Sequence, residues 1–197
     1  MFWLRTGIGV MKFVHPDDTN RDEKEEYIRK KAEPAIRYAE ILLIYAEALN
    51  ELTGNYNIAS WDEETQYTIQ RNIDEMKKGI QPIRIRAGIP DYTRSEYEDQ
   101  DLFREKLKRE RQIELMGEGH RYYDIRRWKD AEVEESLPIY GCNTLMTEKW
   151  RDVFHVPVAI PSLPTNFSRK MYFWPISHSE LKRNKMLTQN PGWTYND

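Results

Sequence analysis

A chain of 197 residues suits one domain or a domain and a half. It is 39% hydrophobic and 32% charged, and Trp, Tyr and Phe supply 12%, which excludes a disordered polar chain. The formal net charge of -3 excludes a global basic field for nucleic acid, and the longest aliphatic block, Ile41 to Ala46, is far short of the ~20 residues that a bilayer span needs.

Residues 1–32 read as a lead-in segment. Gly7-Ile8-Gly9 is a turn fragment beside a short extended stretch, with no third glycine to make a phosphate loop. Met1 to Lys12 lacks the charged and apolar succession of a secretory signal, so any export signal is expected outside this chain. Residues 33–132 read as helical. A first helix is predicted over Pro34 to Leu52, with Ile36, Leu43 and Ile44 inward, Ala39 and Ala46 flanking, and Gly54 just past its end. A second is predicted over Asp62 to Gly79, capped by Ser60 or Asp62, with Ile69, Ile73 and Met76 buried and a break at Pro82. Ser95 to Gly117 reads as a third helix and His120 to Ala131 as a fourth.

Residues 133–197 hold six of the ten prolines and read as loops packed on the helices. One short helix is expected near Ser177 to Arg183, opened by the capping box Ser177-x-x-Glu180, and Asn190-Pro191-Gly192 is a turn signature. Cys142 is the only cysteine, so an intrachain disulfide and a cysteine-rich zinc site are excluded. It lies mid-chain and reads as a plain thiol rather than a lipid-bearing N-terminus. The four histidines lack metal-ligand spacing; no metal and no cofactor are expected.

Two predicted helices mix charge into an apolar stripe. Glu40 and Glu47 share a side with Ile36, Leu43 and Ile44, and Arg111, Glu114 and Glu118 share a side with Phe103 and Leu107. Unpaired buried charge is too costly to persist, so a structural ion network of Glu40, Glu47, Arg111, Glu114, Glu118 and Arg126 is expected. In it Arg109, Arg111, Arg126 or Arg127 would hold the glutamates, and Arg111→Ala would cost about 3–5 kcal/mol. The competing reading is a glycosidase using Glu110, Glu114 or Glu118. A general acid needs an environment that raises its pKa, and basic neighbours do the opposite, so no catalytic residue is assigned.

Three stretches in order resemble the SusD/RagB family of surface nutrient-binding lipoproteins. They are Arg37-Tyr-Ala-Glu-Ile-Leu-Leu-Ile-Tyr-Ala-Glu-Ala-Leu49 with Ile83-Arg-Ile-Arg-Ala-Gly-Ile-Pro90; Phe103-Arg-Glu-Lys-Leu-Lys-Arg-Glu-Arg-Gln-Ile-Glu-Leu115 running on to Trp128; and Phe173-Trp-Pro-Ile-Ser177 with Gln189-Asn-Pro-Gly-Trp193. The resemblance covers about Glu33 to Trp193 and corresponds to the family's C-terminal region. It implies a mainly α fold: a tetratricopeptide-like helical hairpin at Glu33 to Gly79, further helices, and the loop-rich tail. It further implies a non-catalytic, surface-exposed outer-membrane protein of polysaccharide utilisation, anchored by an N-terminal lipid. Such a protein binds an oligosaccharide, or a peptide, and delivers it to a SusC-like TonB-dependent transporter. Family members are much longer, so part of the ligand site and the lipid anchor are expected outside these residues.

Ligand contacts vary across the family and none is carried over by motif. Sugar chemistry wants aromatic faces and polar groups, which makes Trp61, Tyr92, Tyr140 and Trp150, with Asn57 or Asn143, the candidates. The alternative for each aromatic is ordinary packing. Trp128, Trp174 and Trp193 read as core. Besides glycan capture, a helical-repeat protein interaction module stays open. A hairpin with no second hairpin to cover it is expected to leave an apolar patch beside Ala39, Leu42, Ala46 and Leu49.

Overall fold

The apolar run after Pro34 becomes helix α1, Tyr38–Asn50. Its inward face is Leu43, Ala46, Leu49 and Asn50, not the Ile36/Ile44 side: Ile36 precedes the helix at 70% exposed and Ile44 is 46% exposed. Close approach decides the register. Helix α2, Ile73–Arg86, lies against α1 with Gly79 at the crossing, where even a Cβ would come 2.5 Å from the Leu42 carbonyl oxygen and 2.9 Å from the Ala46 methyl. Small residues face small residues there, so the backbones meet and the bulky isoleucines turn outward.

The structure is a computed structural model that describes residues 6–7, 9–10, 12–20, 26–30, 34–143, 153–163 and 165–194. The expected second helix begins eleven residues later than Asp62, at Ile73. What stands in between is a β-hairpin: β3, Tyr56–Ala59, pairs antiparallel with β4, Gln66–Ile69, in register Tyr56 to Ile69. Ser60 and Asp62 do not cap a helix. Ser60 closes the hairpin turn, its N–H donating to the Thr65 carbonyl at 2.7 Å and its hydroxyl accepting from the Thr65 N–H at 3.0 Å, and it also bonds Asp62. Alternation of Tyr56 with Ile58 and of Tyr67 with Ile69 is the strand signal that a helical reading overrides.

Asn72 caps α2 by accepting the Glu75 N–H at 3.1 Å. Pro82 does not break the helix. It sits on the exposed face, where water can serve the carbonyl that loses its intrahelical donor. The predicted third helix divides into α3, Arg94–Glu98, and α4, Gln100–Glu114. Asp99 makes the division: its backbone is extended and its carboxylate accepts the N–H groups of Asp101 and Leu102 at 3.1 and 3.0 Å, starting a new helix. Leu43, Ala46, Met76, Ile80, Tyr97, Phe103 and Leu107 form the core where α1, α2 and α4 meet.

Two compact units form, Phe13–Arg121 and Met1–Lys12 with Tyr122–Asp197. In the first, short strands β1, Thr19–Asn20, and β2, Glu26–Tyr27, pair antiparallel ahead of α1. Helix α5 is His120–Arg127, and the turn after it carries Lys129 with φ of 63°, which ends the predicted fourth helix before the short α6, Ala131–Glu134. The remainder is a two-residue ladder of β5, Tyr140–Gly141, with β6, Val158–Ala159, a 3₁₀ turn at Arg169–Tyr172, and α7, His178–Arg183. Ser177 caps α7 as the sequence predicts, accepting the Glu180 N–H. The chain is mostly helical, with seven helices among the described residues, none long and apolar enough to cross a membrane.

Candidate functional site

The charged side chains on the α1 and α4 stripes are largely buried; Glu47 meets Arg111 as expected, while Glu40 and Glu114 have partners other than those expected. Glu114 and Glu118 share Arg37, the residue that precedes α1. Its guanidinium gives Nη1 to Glu114 at 2.9 Å, and Nε and Nη2 to Glu118 at 2.8 and 2.7 Å. Those hydrogen bonds, Glu118 foremost, raise the Arg37 pKa further above its ordinary value. Arg86 from the end of α2 also holds Glu114. Glu110 takes Arg84 at 2.6 Å and the Tyr92 hydroxyl at 2.9 Å. Arg111 lies 3.9 Å from Glu47, while Glu40 faces His120 at 3.5 Å rather than an arginine. Arg126 belongs to the other unit, where it meets Glu135 at 3.2 Å and covers the Tyr122 ring at 3.5 Å.

Every carboxylate of the Glu110, Glu114, Glu118 series is thus gripped by a guanidinium. Such groups act as struts that tie α4 to α2 and to the entry of α1. Glycoside hydrolysis instead needs two carboxyl groups free to face a bond from either side.

Five of the six ligand candidates lie in the described residues, three in one unit and two in the other. Trp61 stands at the tip of the β3–β4 hairpin, 95% exposed, and Asn57 on β3 accepts the Thr68 hydroxyl at 2.8 Å. Tyr92 is half-buried against the core, edge-on to Tyr97 and Phe103 with ring centroids 6.1 Å from each, and Arg84 covers its face at 3.9 Å. Burial and then Glu110 push its hydroxyl pKa well up. In the other unit, Tyr140 on β5 is 56% exposed, and Asn143 gives its N–H to the Phe154 carbonyl. Trp150 lies outside the described residues.

Sequence reading missed a better-formed site in the tail. Residues 173–176 are neither helix nor strand, and among the described residues no strand pairs with them. Gln189 takes that place: its amide oxygen accepts the Ile176 N–H at 2.8 Å and its amide nitrogen donates to the Ile176 carbonyl at 3.0 Å. Asn190 donates to the Trp174 carbonyl at 2.6 Å, and the Trp193 indole N–H is shared by the Lys170 and Phe173 carbonyls at 3.0 Å each. Gly192, with φ of 85°, seats the turn on Lys170; a Cβ there would come 2.7 Å from the lysine Cβ. The clamp uses the backbone of Trp174 and leaves its ring 75% exposed, so Trp174 is not core; Trp128 and Trp193 are partly buried.

This clamp walls a cavity of about 620 Å³ lined by Arg126, Lys129, Glu132, Arg169, Lys170, Tyr172, Phe173, Pro191 and Gly192. The size and the mix of aromatic, cationic and polar groups suit a small polar ligand. The tail signals were visible as turn and cap motifs, but not as walls of one cavity.

A profile of the SusD family matches residues 1–193. SusD-like protein P2 of Formosa agariphila is 31% identical over 162 residues, covering 80% of this chain and 25% of that protein. A SusD-like protein from Bacteroides fragilis, known from its crystal structure, matches 88% of this chain and 28% of its own length with 25% identity and a TM-score of 0.62. The chain therefore spans about a quarter of the length of the relatives it matches. Helical architecture, ordered motifs and the match over nearly every residue agree: the chain belongs to the SusD family.

Proposed function

We propose that this chain is part of a non-catalytic glycan-capturing protein of the outer membrane. It holds a nutrient oligosaccharide at the cell surface and passes it to a SusC-like TonB-dependent transporter, with the whole protein anchored by an N-terminal lipid. The observation that carries this reading is family membership across residues 1–193. Two features of the site support it. The acidic series that could have served a glycosidase is bound up in arginine struts. The tail cavity offers aromatic walls and hydrogen-bonding cations of the kind that orient a sugar. Trp61 and Tyr140, both exposed, are retained as outlying sugar contacts.

Glycan-array binding followed by chromatography of the bound oligosaccharide tests this reading. Capture with the oligosaccharide returned unshortened is the expected result. Shortened products that vanish in Glu114→Gln would overturn it in favour of hydrolysis, and binding to peptides alone would replace the substrate class.

A further inference from the structure

From the uncompensated positive charge of the tail cavity, we infer that it takes a saccharide bearing an oxyanion, either a carboxylate or a sulfate, in preference to a neutral sugar. This rests on the glycan-capture reading and adds the charge of the ligand.

Four of the nine lining residues are cations: Arg126, Lys129, Arg169 and Lys170. Elsewhere in this acidic chain Arg37, Arg84, Arg86 and Arg104 are each met by a carboxylate. In the cavity only Arg126 has such a partner, Glu135. Among the described residues, Lys129, Arg169 and Lys170 meet no carboxylate; Lys170 lies 4.1 Å over the Trp193 ring instead. Glu132 is the one acidic side chain on the wall and does not balance them.

Two of the lining residues each carry a buried polar atom that lacks a partner: the Tyr172 hydroxyl and Arg126 Nε. An orphaned buried donor is costly unless a ligand or water completes it. Arg126 Nε–H can only donate, the Tyr172 hydroxyl can donate as well as accept, and apart from Glu132 the charged neighbours on the wall are ammonium and guanidinium groups, which only donate. A wall of donors calls for an acceptor-rich, negatively charged guest, and a guanidinium fits a carboxylate or sulfate in two-point fashion. Phe173, 61% exposed, and Tyr172 supply the apolar faces on which a pyranose ring can lie. The turn at Gly192 packs closely on Lys170.

The test is titration calorimetry of the 197-residue chain against tetragalacturonate, its full methyl ester, and sulfated and unsulfated maltotetraose. Tetraglutamate serves as a non-sugar anion. The expected result is that at least one charged sugar binds about tenfold or more tighter than its neutral counterpart, and that 0.5 M salt erases the difference. Which charged sugar wins identifies carboxylate or sulfate as the recognised group. Lys129→Gln with Arg169→Gln, both exposed positions, should remove that preference without unfolding the chain. Tyr172→Phe should weaken binding several-fold while leaving the melting temperature equal or higher, because it deletes an unsatisfied hydroxyl; a purely structural tyrosine would lower it. Equal binding of charged and neutral sugars overturns the inference and leaves glycan capture standing. Failure of every charged sugar to bind a chain that melts cooperatively also overturns it. Tetraglutamate binding as tightly as the charged sugars overturns it too, and counts against glycan capture as well.

Discussion

Gly79 sets the distance between α1 and α2. A methyl group there would press on the Leu42 carbonyl, which is backbone and cannot swing aside. Gly79→Ala is expected to cost about 1–3 kcal/mol in urea denaturation. Gly54→Ala, in open space, should stay within about 0.5 kcal/mol of the parent. Arg37 has a comparable burden. Arg37→Ala removes two guanidinium bonds from Glu118 and one of the arginines that hold Glu114. A loss of about 3–5 kcal/mol is expected, and an unchanged urea midpoint would show that water replaces the guanidinium. These pairings explain why a network was legible while its wiring was not. Charged residues in an apolar stripe reveal that partners exist, but Arg37, Arg84 and Arg86 reach Glu110, Glu114 and Glu118 only once three segments are packed, and no short-range spacing announces that.

At the scale of elements, the tail clamp predicts a local effect. Gln189→Ala should expose the Ile176 amide to hydrogen exchange while amides of α1 and α2 keep their protection, since the clamp lies in the other unit. Loss of protection throughout the chain would mean the clamp holds far more than its own segment. The first helix, the cap of α7 and the turn at Asn190 were readable because each is specified by residues within one or two turns of chain. The β3–β4 hairpin was not. Its strands are exposed apart from Ile69, so the short alternation of Tyr56 with Ile58 and of Tyr67 with Ile69 marks no buried face, and Glu63-Glu64 in the turn reads as helix former. Of the six ligand candidates, Tyr92 illustrates the limit on the site. An aromatic in a loop is indistinguishable by sequence from one that folds back into a core, as this ring does.

Across the whole molecule, α1 is apolar on two sides. Its inner side is covered, including Ala46 and Leu49, with Ala39 and Leu42 packed at the margin, so the patch anticipated there is absent. Ile41, Ile44, Tyr45 and Ala48 instead form an exposed stripe at helical spacing. Concentration-dependent association of the 197-residue chain is expected by light scattering, and Ile41→Glu with Ile44→Glu should abolish it; a monomer at all concentrations would reassign the stripe to ordinary surface. Acid should weaken the fold. Lys106 and the Thr93 cap hold Glu96 down at about 2, and Arg104 lowers Glu51. Unfolded carboxyls titrate near ~4.3, so below that pH the unfolded chain binds more protons than the folded one. The stabilisation is full above the unfolded value and fades as pH falls through the folded one. Urea midpoints should drop between about pH 4.5 and pH 2, and Glu96→Gln should flatten part of that slope.

The way Gln189 attends Ile176 bears on how such a protein can be recognised at all. A neighbouring strand offers its backbone, and a backbone is the same whatever residue carries it, so sheet pairing leaves little trace in the letters. Here the bonds come from the side chains of Gln189, Asn190 and Trp193, so the residue types themselves carry the donors and the acceptor. The geometry is spelled out in the text of the chain itself. That makes the Gln-Asn-Pro-Gly-Trp phrase an address by which this architecture can be searched for in other sequences.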